Sequence, residues 1–149
     1  MRKLAPLLVV LALAAPAGAQ EADDPRWVVE ELFRAMKAGD ADAMAALMHE
    51  DVRLVSTSAG EDGPVVRPIP VQQWLDGVRG STRELDERLR EVLVRADQGL
   101  ASVWATYDLF VDGRHSHCGT DAFHLVRTAA GWRILEIVDT RRTEGCQAS

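Results

Sequence analysis

The sequence predicts an α+β domain, with helices first and a strongly curved antiparallel sheet after them. Three observations carry that reading. An apolar stripe at helical spacing, Val28, Val29, Leu32, Phe33 and Met36, follows Asp24-Pro25. The segment from Leu100 to Val111 is dense in aromatic and β-branched residues. Short turns at Asp112-Gly113 and Ala129-Ala130-Gly131 then divide the remainder into further strands.

The chain opens on Met1-Arg2-Lys3, an apolar run from Leu4 to Ala15, and Ala17-Gly18-Ala19. A cationic start, a short apolar stretch and a small-residue site are the layout of a secretory signal peptide. Cleavage is expected after Ala19, leaving residues 20–149 as one domain in the periplasm or outside the cell. The apolar run falls short of the roughly 20 residues a membrane span requires, so no span is expected in the mature form.

Asp24 offers an N-cap acceptor and Pro25 suits the first helical position. Gly39 ends that helix, and Asp40 caps a second, short one carrying Met44, Leu47 and Met48. Val52, Leu54 and Val55 read as a strand. The glycines and prolines between Ser56 and Pro70 read as a loop or an irregular hairpin. A third helix is expected from Val71 to Val78. Arg88 to Ala96 fits a helix or a strand, and strand is preferred because strands follow. Leu100–Val111, about His115–Arg127 and Trp132–Thr140 complete a meander. Strands this long bend strongly.

The 149 residues are 47% hydrophobic and 27% charged, a balance that fits one globular domain. The formal net charge of −6 disfavours a nucleic-acid partner, because phosphate binding needs a basic face. The alternating charges from Arg83 to Arg95 read as a solvated face. Two cysteines exclude a disulfide-dense scaffold. In an oxidising compartment Cys118 and Cys146 either pair or remain separate thiols.

The order helix, Gly39-Asp40, helix, then a strand beginning Glu50-Asp51-Val52, then a hairpin whose last strand begins Gly131-Trp132-Arg133-Ile134, resembles the nuclear transport factor 2-like superfamily, the cystatin-like α+β cone. Within it, Gly119-Thr120-Asp121-Ala122-Phe123, Gly131-Trp132 and Asp139-Thr140-Arg141-Arg142 are similar to the exported bacterial proteins grouped as lumazine-binding or SnoaL-like. The resemblance implies a curved sheet that wraps a long helix and encloses a central pocket. The superfamily hosts isomerases, dehydratases, cyclases and non-enzymatic binding subunits, so fold alone does not choose among them. It also implies a homodimer through the open sheet face, for which Phe110, Trp104 and Phe123 are candidates.

Two functions follow. The first is binding of a small hydrophobic or planar molecule in the cone, with Trp27, Phe33, Trp74, Trp104 and Arg141 as candidate contacts. The alternative is an isomerase-, dehydratase- or cyclase-type acid/base enzyme in the same pocket, with no cofactor expected. Its shortlist is Asp121, Asp139, Tyr107 and His117, because proton transfer needs a buried titratable group and a donor for the developing oxyanion. For Asp139 an ion pair with Arg141 or Arg142 is the preferred reading over a catalytic one. His115, His117, Cys118, Asp121 and His124 are dense in metal-ligand types, but their spacing makes no complete set, and no metal is expected. Simple alternation places Tyr107 opposite Cys118, Trp104 opposite Asp121, Arg141 near Cys118 and Asp139 near Thr120. One face then carries Tyr107, Thr120, Asp139 and Arg141, and the other Trp104, His117, Asp121 and Phe123. A single bulge would exchange these sets, so the pocket face stays open.

Overall fold

The computed structural model describes residues 23–146. The expected signal peptide lies outside the described residues. Helix α1 spans Pro25–Lys37 and helix α2 spans Ala41–Ala46. The Asp24 carboxylate accepts from the Arg26 amide at 2.9 Å, and Asp40 from the Ala43 amide at 2.9 Å. Gly39 joins the two helices at φ +71°, a conformation side-chain-bearing residues rarely adopt. Leu47 only caps α2, and Met48 already begins a strand rather than extending the helix.

Strand β1, Met48–Gly60, forms a hairpin with β2, Gly63–Ile69, in unbroken register from Leu54 opposite Ile69 to Gly60 opposite Gly63. Of the two expected forms, a loop or an irregular hairpin, the segment takes the hairpin, and takes it in regular register. Pro64 and Pro68 are tolerated there because β2 is an edge strand, whose outer side needs no amide donors. Helix α3 spans Val71–Arg79 and buries Leu75 and Val78. The ambiguous Arg88–Ala96 segment is two short strands, β3 (Leu85–Leu89) and β4 (Leu93–Asp97). Both pair with the same long strand, β5 (Leu100–Val111), one after the other. Strands β6 (Arg114–Thr128) and β7 (Gly131–Arg142) complete the meander.

The sheet order is β2-β1-β7-β6-β5-β3, with β4 also on β5. All pairs are antiparallel except β1 and β7, which run parallel, so the sheet is mixed rather than purely antiparallel. Helix α1 packs into its concave side. Val28, Val29, Leu32 and Phe33 meet Val103, Phe123, Leu125 and Ile134 in one core. The Phe33 and Phe123 rings meet edge-on at 6.0 Å. Phe123 is fully buried, so it belongs to this core and not to an intersubunit surface. Trp132 closes the helix entry by donating its indole N–H to the Asp23 carbonyl at 3.1 Å.

Two bulges correct the simple register. One lies where Leu109 faces His117 but Phe110 faces His115. The other lies where His124 faces Glu136 but Leu125 faces Ile134. Each adds one residue to one strand, and the pairing beyond it slides by one. Tyr107 therefore faces Gly119, and Trp104 faces Ala122. Arg141 also faces Gly119, and Asp139 faces Asp121. The bulges also mix the two expected faces: His117 and Asp121 join Tyr107, Asp139 and Arg141 on one cavity wall.

Candidate functional site

Between α1 and the concave sheet lies a cavity of about 240 Å³. Its apolar wall comes from Phe33 and Met36 of α1, Trp74 of α3, and Leu54, Ile69, Leu85, Leu109 and Ile137 of the sheet. Its polar wall is Glu87, Tyr107, His117, Asp121, Asp139, Arg141 and Ser56. An engineered apolar cavity of roughly 150 Å³ holds benzene, so this one has room for a substituted or fused ring.

The four shortlisted residues Asp121, Asp139, Tyr107 and His117 all line this cavity, as do Phe33, Trp74 and Arg141. Trp27 and Trp104 do not. Trp27 packs partly buried against the core, and Trp104 is 54% exposed. The histidines part company at the β6 bulge. His117 faces the cavity, whereas His115 bonds the buried Asp108 at 3.0 Å. His124 pairs with Glu136 at 2.9 Å, and Cys118 is bonded to Cys146 in a disulfide, with Cα atoms 5.7 Å apart. The metal-like cluster of the sequence is thus dispersed.

Asp121 and Asp139 face each other directly across β6 and β7, a costly placement for two like charges. Asp121 is 3% exposed, and its Oδ2 has no hydrogen-bond partner. Burial pushes its pKa up to about 7; a hydrogen bond from Glu87 opposes that rise, and the neighbouring Asp139 adds to it. Glu87 is raised well above the usual carboxylate range, first by burial and then by Asp121. Such a pair holds a shared proton around neutral pH. Burial raises Asp139 too, with the Ser56 hydroxyl and the Arg141 charge pulling the other way. Among the described residues Asp139 forms no ion pair; the alternative reading of it as the partner of Arg141 or Arg142 is not realised at contact distance.

Tyr107 donates its phenolic hydrogen to the Thr140 carbonyl at 3.0 Å. Its ring crosses over Gly119, where an added Cβ would lie 2.7 Å from it. Burial raises the phenol pKa, and the carboxyls of Glu87, Asp121 and Asp139 raise it further, so the group stays protonated. His117 stacks edge-on to Tyr107 at 5.8 Å, and its Nδ1 lies 3.1 Å from the Ser116 hydroxyl. Burial, Arg141 and His115 lower its pKa to about 4, so the imidazole is neutral at pH 7.

Glu87 is the functional residue that sequence reasoning missed. It sits in the charge-alternating Arg83–Arg95 segment, read as a solvated face. Nothing local marks it; only its place on β3, paired opposite the cavity residue Leu109, turns it inward. Its neighbour Asp86 is likewise not solvated: it is buried and holds Lys37 of α1 at 3.0 Å.

A curved mixed sheet wrapped on a helix is the nuclear transport factor 2-like, cystatin-like fold. The chain belongs to the SnoaL-like domain family, whose model matches residues 26–138. Solved structures agree on the fold. A nuclear transport factor 2-like protein from Cytophaga hutchinsonii superposes with a TM-score of 0.64 at 11% identity, covering 80% of this chain and 99% of that one. A candidate scytalone dehydratase from Novosphingobium aromaticivorans gives 0.63 at 12% identity, covering 89% and 93%. A candidate dehydratase of the nuclear transport factor 2-like family from Streptomyces avermitilis gives 0.60 at 14% identity, covering 85% and 99%. No curated protein matches the chain.

Proposed function

We propose that this chain binds a small, largely apolar molecule in the cone cavity and transfers a proton on it, in the manner of an isomerase or dehydratase. The observation that carries the reading is Asp121: a carboxyl 3% exposed on the cavity wall, hydrogen-bonded to a second carboxyl and directly opposite a third. Plain binding gives no reason to gather a buried Asp121 and the half-buried Glu87 and Asp139 on one cavity wall, because desolvating each group costs stability. Proton transfer does give one. A base is most effective when its pKa lies near the working pH, and Asp121 sits at about 7. Asp121 would take the proton from a carbon or oxygen of the substrate. The protonated Glu87 and the neutral His117 are the donors at hand for the charge that develops. The names of the two dehydratase-like neighbours are consistent with this chemistry.

The test is α-proton exchange of 2-tetralone, a bicyclic ketone of suitable size, in deuterated buffer followed by proton NMR. Exchange is expected at roughly a hundred times the buffer rate or more, and lost in Asp121→Asn. Equal exchange in both proteins contradicts the acid/base role and leaves binding as the function.

Export and dimerisation belong to the same proposal. The Cys118–Cys146 bridge supports an oxidising compartment, where such bonds persist, in keeping with the signal-like start of the sequence. Trp104 and its register partner Leu93 are 54% and 65% exposed on the outer sheet surface, in a row continued by Ala122 and Val138. An exposed apolar row of this kind supports a two-fold contact with a second copy.

A further inference from the structure

The inward-facing side of the sheet changes charge from one end to the other. One row of register partners runs Arg67, Ser56, Asp139, Asp121 across β2, β1, β7 and β6. The adjoining row runs Ser58, Arg141, Gly119, Tyr107 across β1, β7, β6 and β5. The carboxyls thus occupy the inner end, and the arginines the outer end. Arg141 lines the cavity and also the cleft that continues from it, and Arg67 and Arg142 line that cleft. Among the described residues none of these three arginines takes part in an ion pair, a state they share with Arg95, Arg114 and Arg133, whereas the other eight are paired. Glu144 is the carboxylate in the cleft, so the lip keeps a positive excess. In a chain of net charge −6, a group of uncommitted arginines at the mouth of a cavity is a local reversal of sign.

The inner end makes a separate demand. The Glu87 and Asp121 carboxyls line the inner end together, and carboxyl oxygens accept hydrogen bonds. A ligand that fills this end is matched by an O–H or N–H; an apolar end would strand the two carboxyls without a partner, and an anionic one would be repelled. The two demands are spaced for one molecule. Asp121 and Arg141 lie on neighbouring strands two register positions apart, about 8 Å between Cα atoms from ordinary strand spacings.

We propose that the cavity takes a flat apolar acid: a fused or substituted ring bearing a hydroxyl that donates to the Asp121 carboxyl at the inner end and a carboxylate held by Arg141 and Arg67 at the outer end. The proposal names the substrate class for the cavity function above and rests on that reading. Arginine suits the outer role because its planar fork meets a carboxylate with two parallel hydrogen bonds. The inner hydroxyl is also the group whose proton Asp121 can accept.

Calorimetric titration of the full chain with matched probes tests both ends. 6-Hydroxy-2-naphthoate carries both groups, 2-naphthol lacks the carboxylate, and 2-naphthoate lacks the hydroxyl. The expected result is that 6-hydroxy-2-naphthoate binds about tenfold more tightly than 2-naphthol, the size of one charge-assisted hydrogen bond. Raising the salt should narrow the ratio. Arg141→Gln, and independently Arg67→Gln on the exposed edge strand, should each bring it towards one. A similar preference over 2-naphthoate should vanish in Asp121→Asn. Equal affinity for 6-hydroxy-2-naphthoate and 2-naphthol, or a ratio untouched by both arginine variants, overturns the carboxylate assignment while the cavity still binds. Equal affinity for 6-hydroxy-2-naphthoate and 2-naphthoate overturns the hydroxyl assignment. Failure of all three probes to bind overturns the proposal together with the cavity reading beneath it.

Discussion

The carboxyls of Glu87 on β3 and Asp121 on β6 hydrogen-bond to each other inside the cavity, and burial lifts both above the ordinary carboxylate range. The strands that carry them are separated in the sheet by β5, and in sequence by most of a hairpin. The pair exists because the sheet curls tightly enough to bring its rows together over α1.

Stability should depend on pH through this pair. Asp121 titrates near 7 when folded and near 3.8 when unfolded. Between those values the folded chain holds a proton that the unfolded chain has released, so stability falls as pH rises through that window. His117 works in the opposite sense. Its folded pKa of about 4 lies below the ordinary 6.5, so its contribution is present above 6.5 and lost as pH falls towards 4. Denaturant titrations should show the protein more stable at about pH 5.5 than at about pH 8, with Asp121→Asn reducing the difference. At about pH 8 the variant should exceed the wild type by on the order of 2 kcal/mol. A wild type that gains stability steadily from acid to alkaline pH contradicts the raised carboxyls.

Gly119 should not tolerate a side chain. A Cβ there would overlap the Thr140 carbonyl and lie 2.7 Å from the Tyr107 ring. Gly119→Ala should cost about 3 kcal/mol or more by overpacking, and should weaken binding of 2-naphthol by displacing Tyr107. A variant of unchanged stability would show that the phenol does not lie over β6 as described.

The Cys118–Cys146 bridge ties the chain end back to β6 across 28 positions. Reducing it should cost up to roughly 3 kcal/mol on the loop-entropy account. The comparison is between oxidised and reduced protein in urea, with Cys118→Ser/Cys146→Ser as the control.

Trp104 offers the test of self-association. Trp104→Ser should turn a dimer into a monomer in sedimentation velocity while shifting monomer stability by less than about 0.5 kcal/mol, because the side chain is 54% exposed. A wild type that sediments as a monomer removes the proposed contact.

Much of the fold was legible because the signals are local. Asp24-Pro25 and Gly39-Asp40 bracket α1 by capping chemistry, and Asp112-Gly113 adopts the positive φ values its turn requires, +52° and +74°. The parallel pairing of β1 with β7 was not legible, since it joins segments far apart in the chain. The cavity face was not legible either. The two bulges each slide a register by one residue, and alternation alone cannot place them. Asp121 therefore looked like a partner of Trp104 on the opposite face from Asp139, whereas it is the direct neighbour of Asp139. Glu87 was hidden by its company: flanked by charged residues on a short strand, it carries no mark of the burial that makes it useful.

The most direct measurement of the central claim is a carbon-13 NMR titration of the Asp121 side-chain carboxyl in the intact protein, assigned by its loss in Asp121→Asn. A midpoint near pH 7 is expected, shifted when Glu87 is replaced by Gln and again when 2-naphthol fills the cavity. A midpoint in the ordinary carboxylate range, unmoved by either change, would contradict the claim.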